Sequence, residues 1–131
     1  MEEKRIEREA QEWVRLVADD LTRPADGECL ACFVARMLRA FGCSTTLRFA
    51  MRYRDLRAPR ATGLERRLGD LGGYCDCEIF RNGIQLAEHF LERDADGYAR
   101  WPEGLPVCQR VRRGSTQWCG NWSPAGGQGP C

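Results

Sequence analysis

The sequence predicts a small single domain of α+β class, mostly helical, with a four-cysteine metal site joining a helix start to a short strand. Three observations carry that expectation. Apolar residues recur at helical spacing through most of the N-terminal half. One short run, Tyr74 to Phe80, alternates at period two. Eight cysteines occur in 131 residues, and four of them form two tight pairs. Charged residues make up 30% and hydrophobic ones 43%, which excludes a disordered chain. No window approaches the roughly 18 apolar residues of a membrane span, and MEEKRIERE has no apolar signal region. A cytoplasmic setting without membrane contact is the expectation.

Residues 3–21 read as an amphipathic helix, with Ile6, Ala10, Trp13, Val14, Val17 and Leu21 on one side. Pro24 and Gly27 break it. Residues 28–41 form the most regular helix, carrying Leu30, Phe33, Val34, Met37, Leu38 and Phe41 on its stripe and Gly42 at its stop. Ser44 or Thr45 caps a third helix running to about Leu56. Thr62 and Glu65 fit a capping box for a short helix to Leu71, ended by Gly72-Gly73. YCDCEIF, residues 74–80, reads as a strand, Asn82-Gly83 as a turn, and residues 84–93 as another short helix. The globular domain is expected over 1–122, with its motif-bearing core at 28–82 and a flexible Gly/Pro-rich tail at 123–131 that carries Cys131.

The cysteine pairs are Cys29-Leu-Ala-Cys32 and Cys75-Asp-Cys77. Zinc takes four ligands in a tetrahedron with Zn–S near ~2.3 Å. Residues i and i+3 of a helix share a face, and so do i and i+2 of a strand. Each pair therefore aims both sulfurs one way, and two pairs make a closed four-thiolate site. The helix start also favours thiolate at Cys29 and Cys32. Iron is the alternative ion, because four thiolates suit both metals. Cys108 and Cys119, with ten residues between them, offer a second half-site, with Cys43, His89 or Cys131 to complete it. His89, the lone histidine, reads otherwise as a surface residue beside Phe90, and Asp76 and Glu78 as a solvated strand face.

The run Gly72-Gly73-Tyr74-Cys75-Asp76-Cys77-Glu78-Ile79 resembles the signature of a bacterial family, domain of unknown function 2695, and Glu28-Cys29-Leu30-Ala31-Cys32 resembles its other motif. The resemblance covers roughly residues 28–82. It implies a bacterial, cytoplasmic setting and the use of the same four cysteines, and it implies no activity.

Net charge is +1, so nothing global favours an anionic partner. Residues 29–67, however, hold nine arginines against two acids. Arg48, Arg52, Arg54, Arg57 and Arg60 crowd the third helix and its exit, and Arg110, Arg112 and Arg113 form a second group. Arginine forks suit phosphate, and Trp101, Trp118 or Trp122 offer base-stacking faces. The leading expectation is a structural zinc held by Cys29, Cys32, Cys75 and Cys77 in a binding or adaptor module, with the partner unspecified. A thiol–disulfide protein using Cys29 and Cys32 is one alternative; there, PADGE precedes the pair, a loop where a thioredoxin-like motif has a strand. Nucleic-acid binding through the arginine-rich helix is the other.

Overall fold

The computed structural model describes residues 2–125. Helix α1 (Glu2–Leu21) is followed by α2 (Leu30–Phe41), α3 (Arg48–Arg57) and α4 (Leu64–Asp70). These four helices stand within a few residues of their expected spans. Helix α2 is the centre of the core. Leu30, Ala31, Cys32, Phe33, Val34, Ala35 and Met37 are all buried, so it is covered on more than its predicted stripe, while Phe41 at its end is exposed. Phe33 meets Phe49 edge-on at 6.4 Å and Tyr53 at 5.8 Å, both from α3. Such aromatic contacts add to the burial that holds the two helices together. Helix α1 has no buried residue, and its stripe of Trp13, Val14 and Leu21 stays exposed.

Two caps differ from expectation. Neither Ser44 nor Thr45 caps α3; its N-cap position is Leu47, which gives no side-chain hydrogen bond. The cap comes from far along the chain. The Asp76 carboxylate accepts from the N–H groups of Phe49 at 2.9 Å and Ala50 at 3.1 Å. Those are the two amides that an N-cap side chain ordinarily serves. Helix α4 starts after Gly63, not on a Thr62 capping box.

Gly72-Gly73 ends α4 as expected, and the structure supplies the reason. Gly72 has φ +86°, and its N–H reaches the Gly69 carbonyl while the Gly73 N–H reaches that of Leu68 at 2.7 Å. That pair of bonds is a Schellman closure. A Cβ on Gly73 would lie 2.9 Å from Ile79, so the second glycine is required by packing.

The expected strand at 74–80 is instead helical. Cys75 is extended, then α5 (Asp76–Glu78) makes one turn and passes into a π-helical turn, Ile79–Gly83. The period-two pattern of Cys-Asp-Cys-Glu therefore reflects two thiols and a buried cap on one turn, not the two faces of a strand. The expected helix at 84–93 is also replaced. It becomes β1 (Ile84–Leu86), a 3₁₀ turn (Glu88–Phe90) and β2 (Glu92–Arg93). Strand β2 pairs antiparallel with β3 (Ala99–Arg100). Strand β1 pairs antiparallel with β4 (Trp122–Pro124), Leu86 opposite Trp122. Ser123 and Pro124 thus belong to a strand, and of the expected tail residues 126–131, including Cys131, lie outside the described residues.

Candidate metal centre

Seven of the eight cysteines lie in the described chain, all as free thiols, and the fold gathers them into two groups. The first is Cys29, Cys32, Cys108 and Cys119, whose sulfurs lie within 4.8 Å of one another. The second is Cys43, Cys75 and Cys77, gathered within the same limit. A single centre joining Cys29 and Cys32 to Cys75 and Cys77 is therefore not what the fold assembles. Cys29 and Cys32 meet the half-site Cys108 and Cys119, and Cys75 and Cys77 meet Cys43. His89 stands in neither group; it is exposed on the 3₁₀ turn, stacked on Phe90 at 4.0 Å.

The first group is built around the start of α2. Cys29 is its N-cap, with extended backbone, and its Sγ accepts from the Cys32 N–H at 3.3 Å. Cys32 follows one turn later, where helix geometry puts it on the same side. The distant pair arrives on the long irregular segment before β4. The Val111 N–H donates to the Gly27 carbonyl at 2.8 Å, which lays that segment against the loop before α2. Gly27 is needed there: it has φ +74°, and a Cβ would meet the Arg110 side chain at 3.3 Å. The Tyr53 hydroxyl donates to the Glu28 carbonyl at 2.8 Å and lies 3.3 Å from that of Ser115, tying α3 to both sides of the cluster.

The sulfurs are surrounded by N–H donors. Cys108 Sγ accepts from the backbone of Cys29 and of Arg110, each at 3.3 Å. Trp122 Nε1 donates to Cys32 Sγ at 3.3 Å. The Cys32 and Cys119 sulfurs are 3.8 Å apart. A tetrahedron with ~2.3 Å metal–sulfur bonds has edges of about 3.8 Å, whereas a disulfide needs about 2.05 Å. The spacing suits a shared ion and not a bond between sulfurs. Cys29 is wholly buried and Cys119 is 6% exposed.

Protonation follows from the crowding. The Cys32 thiol hydrogen bond, with backbone N–H groups behind it, pulls Cys29 down to about 5 against the burial that opposes this. The same hydrogen bond, then burial, pushes Cys32 up. Burial raises Cys108 as well. Cys29 sheds its proton readily, while Cys32 and Cys108 resist losing theirs, through the hydrogen bond to Cys29 and burial first and the nearby Cys29 charge after them. A divalent cation removes that resistance, since ligation replaces the protons with positive charge. Burial, reinforced by Cys29 and Cys108, raises Tyr53 to about 12, which keeps its hydroxyl a donor.

The second group sits between the end of α2 and α5. Cys75 and Cys77 sulfurs are 3.4 Å apart, and Cys43 Sγ accepts from the Thr45 N–H at 3.4 Å. Thr45 and Arg110 are the two non-glycine residues of the described chain with positive φ, 66° and 70°. Each stands two residues after a cysteine whose sulfur it caps, so the same tight turn occurs once in each group. Asp76, between Cys75 and Cys77, is fully buried on the α3 amides, correcting its expectation as a solvated face.

The arginine-rich helix is largely engaged within the chain. Arg48 lies 4.5 Å over the Phe49 ring. Arg52 binds the Thr22 carbonyl at 3.0 Å and pairs with Asp19, and Arg57 binds the Pro24 carbonyl at 2.7 Å. Arg54 pairs with neighbouring Asp55. Arg60 is exposed. These contacts hold the 19–24 segment, which leads into the Cys29 loop, against α3. Arg36 forms a two-pronged pair with Glu28 at 2.9 and 2.8 Å. Trp101 and Trp122 pack together at 5.5 Å with Phe80 against both, so neither offers an open stacking face. In the second basic group Arg112 and Arg113 are exposed, beside Arg67, which donates to Thr116 Oγ1 at 3.0 Å.

Residues 30–82 match the family model of a protein of unknown function (DUF2695). The chain resembles DUF2695 over that stretch, in line with the reading from GGYCDCEI. No curated protein and no solved structure matches. The DUF2695-like stretch contains all three cysteines of the second group. It contains Cys32 of the first group but ends well before Cys108 and Cys119.

The pairing of Cys29 and Cys32 with Cys108 and Cys119, the part played by Cys43, and the Trp122 donor were not legible in the spacing. One signal was present. Cys29-x₂-Cys32 is an ordinary ligand spacing, and Cys108 and Cys119 stood in the sequence as a half-site in need of partners. Replacing Trp122 by phenylalanine keeps the ring in the core and removes the N–H. Outer-shell donors of this kind tune metal affinity about 10–100-fold. Trp122→Phe is expected to weaken metal retention by about tenfold in competition with a chelator, with little change in fold.

Proposed function

We propose that the protein is a zinc-binding module whose zinc is structural, held by Cys29, Cys32, Cys108 and Cys119. The convergence of four sulfurs from two distant stretches of chain, within 4.8 Å, carries this reading. Four thiolates fill a tetrahedron and leave no position for substrate, so the ion holds the fold together. It would pin the Cys108–Cys119 loop, with its exposed Arg112 and Arg113, to the start of α2. That loop, more than the internally engaged α3, is the surface suited to an acidic protein or a nucleic acid. The module then works as a binding or adaptor element. In a cavity of about 330 Å³ beside the cluster, Cys32, Cys108, Arg36 and Trp122 line the wall. It gives no access to an open coordination position once four thiolates are bound.

A thiol–disulfide role for Cys29 and Cys32 fits less well. Exchange needs an exposed attacking sulfur, and Cys29 is wholly buried. Iron remains the chemical competitor of zinc. The test is elemental analysis of untagged protein purified without added metal, read beside its visible spectrum. Zinc with a colourless spectrum supports the reading. Iron with charge-transfer bands would replace zinc by iron at the same ligands. Metal-free, stably folded protein with a reversible Cys29–Cys32 disulfide would overturn it in favour of redox chemistry.

A further inference from the structure

The second thiol group is left over by the four-cysteine centre, and its design is different. Two of its ligands, Cys75 and Cys77, stand on one turn at the start of α5; the third, Cys43, comes from the turn after α2. The three sulfurs lie within 4.8 Å of one another, and the Cys75–Cys77 pair, at 3.4 Å, is well beyond bonding distance. The N–H of Thr45 caps Cys43 as that of Arg110 caps Cys108, through the same positive-φ turn. The geometry used at the buried centre is therefore repeated here. A fourth protein ligand is missing among the described residues. Asp76 lies between two of the cysteines, yet both of its oxygens are taken by the α3 amides. Cys43 is exposed and Cys77 half-buried, so the open side faces solvent.

We propose that Cys43, Cys75 and Cys77 form a second zinc site, independent of the first, with its fourth position open and exchangeable. Three protein ligands with one position left for water or an incoming ligand is the arrangement of a zinc that reacts or binds, in contrast to a closed structural one. Binding exchanges the thiol protons for the ion and leaves three thiolates around zinc with a formal charge of −1. The incoming ligand would be a soft neutral or anionic donor, a thiolate or an imidazole, displacing water. The site lies wholly within the DUF2695-like stretch, whereas the closed centre draws on Cys108 and Cys119 beyond it.

The experiment loads fully reduced protein with cobalt(II) as a spectroscopic stand-in for zinc, in the wild type, Cys43→Ser and Cys77→Ser. The expected result is two ions per chain in the wild type and one in each variant. Adding imidazole or a small monothiol should shift the visible bands of the wild type and leave those of both variants unchanged. Cys43 is exposed, so Cys43→Ser is expected to keep the fold, and far-UV circular dichroism checks this. Wild-type protein that binds no more cobalt than Cys43→Ser would overturn the second site. Two ions whose bands ignore both added ligands would overturn the open position. The folded Cys43→Ser protein also separates this proposal from the closed centre: one ion in both it and the wild type means that the second site fails, and one ion in the wild type with none in the variant means that the first fails.

Discussion

Cys119→Ser is expected to release one tightly held metal ion per chain and to abolish the cooperative thermal transition. Cys119 is one of two cysteines whose sulfurs bring the segment after β3 to the start of α2, and Trp122 of β4 follows it closely. Its loss leaves Cys29, Cys32 and Cys108, the first two of them buried, as an incomplete ligand set, and the segment loses an attachment to α2. Structural zinc in finger-sized peptides contributes an apparent ~10–16 kcal/mol at neutral pH. Whole domains are stable by only about 5–15 kcal/mol. An ion held with a free energy of that size would match the whole net stability of an ordinary domain, so its loss is expected to unfold the chain. Metal content and a melting curve on the same sample decide the matter. A Cys119→Ser protein that keeps its ion and its melting midpoint would remove this cysteine from the site. Chelation of the wild type should reproduce the unfolding, and added zinc should reverse it.

Asp76→Ala is expected to cost about 2–6 kcal/mol, because two buried N–H groups lose their acceptor at about 1–3 kcal/mol each. The amides are those of Phe49 and Ala50 in the first turn of α3, and Phe49 is 1% exposed, so water cannot replace the carboxylate there without disturbing the core. Asp76→Asn keeps one acceptor oxygen and should recover roughly half the loss. Urea unfolding of metal-loaded protein measures both values, with the slope expected to stay constant while the midpoint falls. A change within about 0.5 kcal/mol, the range of an ordinary surface substitution, would show that the cap contributes little. The substitution has a second expected reach. The Asp76 N–H donates to the Thr46 carbonyl at 3.0 Å, so the same residue ties the Cys75–Cys77 turn to the chain just after Cys43. Loosening it should weaken the three-cysteine site more than the four-cysteine one.

The helices were legible because their signal is local. Leu30, Phe33, Val34 and Met37 recur at the helical period, and burying such a stripe is what the hydrophobic effect rewards in any tertiary setting. The stop at Gly72-Gly73 was equally local, since a left-handed residue at a helix end selects glycine. The Cys-Asp-Cys-Glu run misled because period two has more than one cause. A strand produces it by facing alternately in and out; here two thiols flank a carboxylate that reaches inward to cap a helix lying 26 residues earlier. Residues 84–93 misled for a related reason. Ile84 and Leu86 pack as a strand only because β4 is there to pair with them, 36 residues later.

The composition and spacing of the chain settled that it is a mostly helical α+β protein, that four of its eight thiols come in two tight pairs, and that Cys29 and Cys32 open a helix and face one way. Which pair meets which was decided in three dimensions. Spacing constrains residues that share a turn, because backbone geometry carries their relation over a few ångströms. It says nothing of where a turn goes after a long irregular connection. Cys108 and Cys119 reach α2 through the Val111–Gly27 bond, the Tyr53 hydroxyl and the β1–β4 pairing, and each of these joins residues far apart in the chain. The same contacts leave Cys75 and Cys77 to Cys43, so one expected centre becomes two groups of thiols: one buried and four-membered, one open and three-membered.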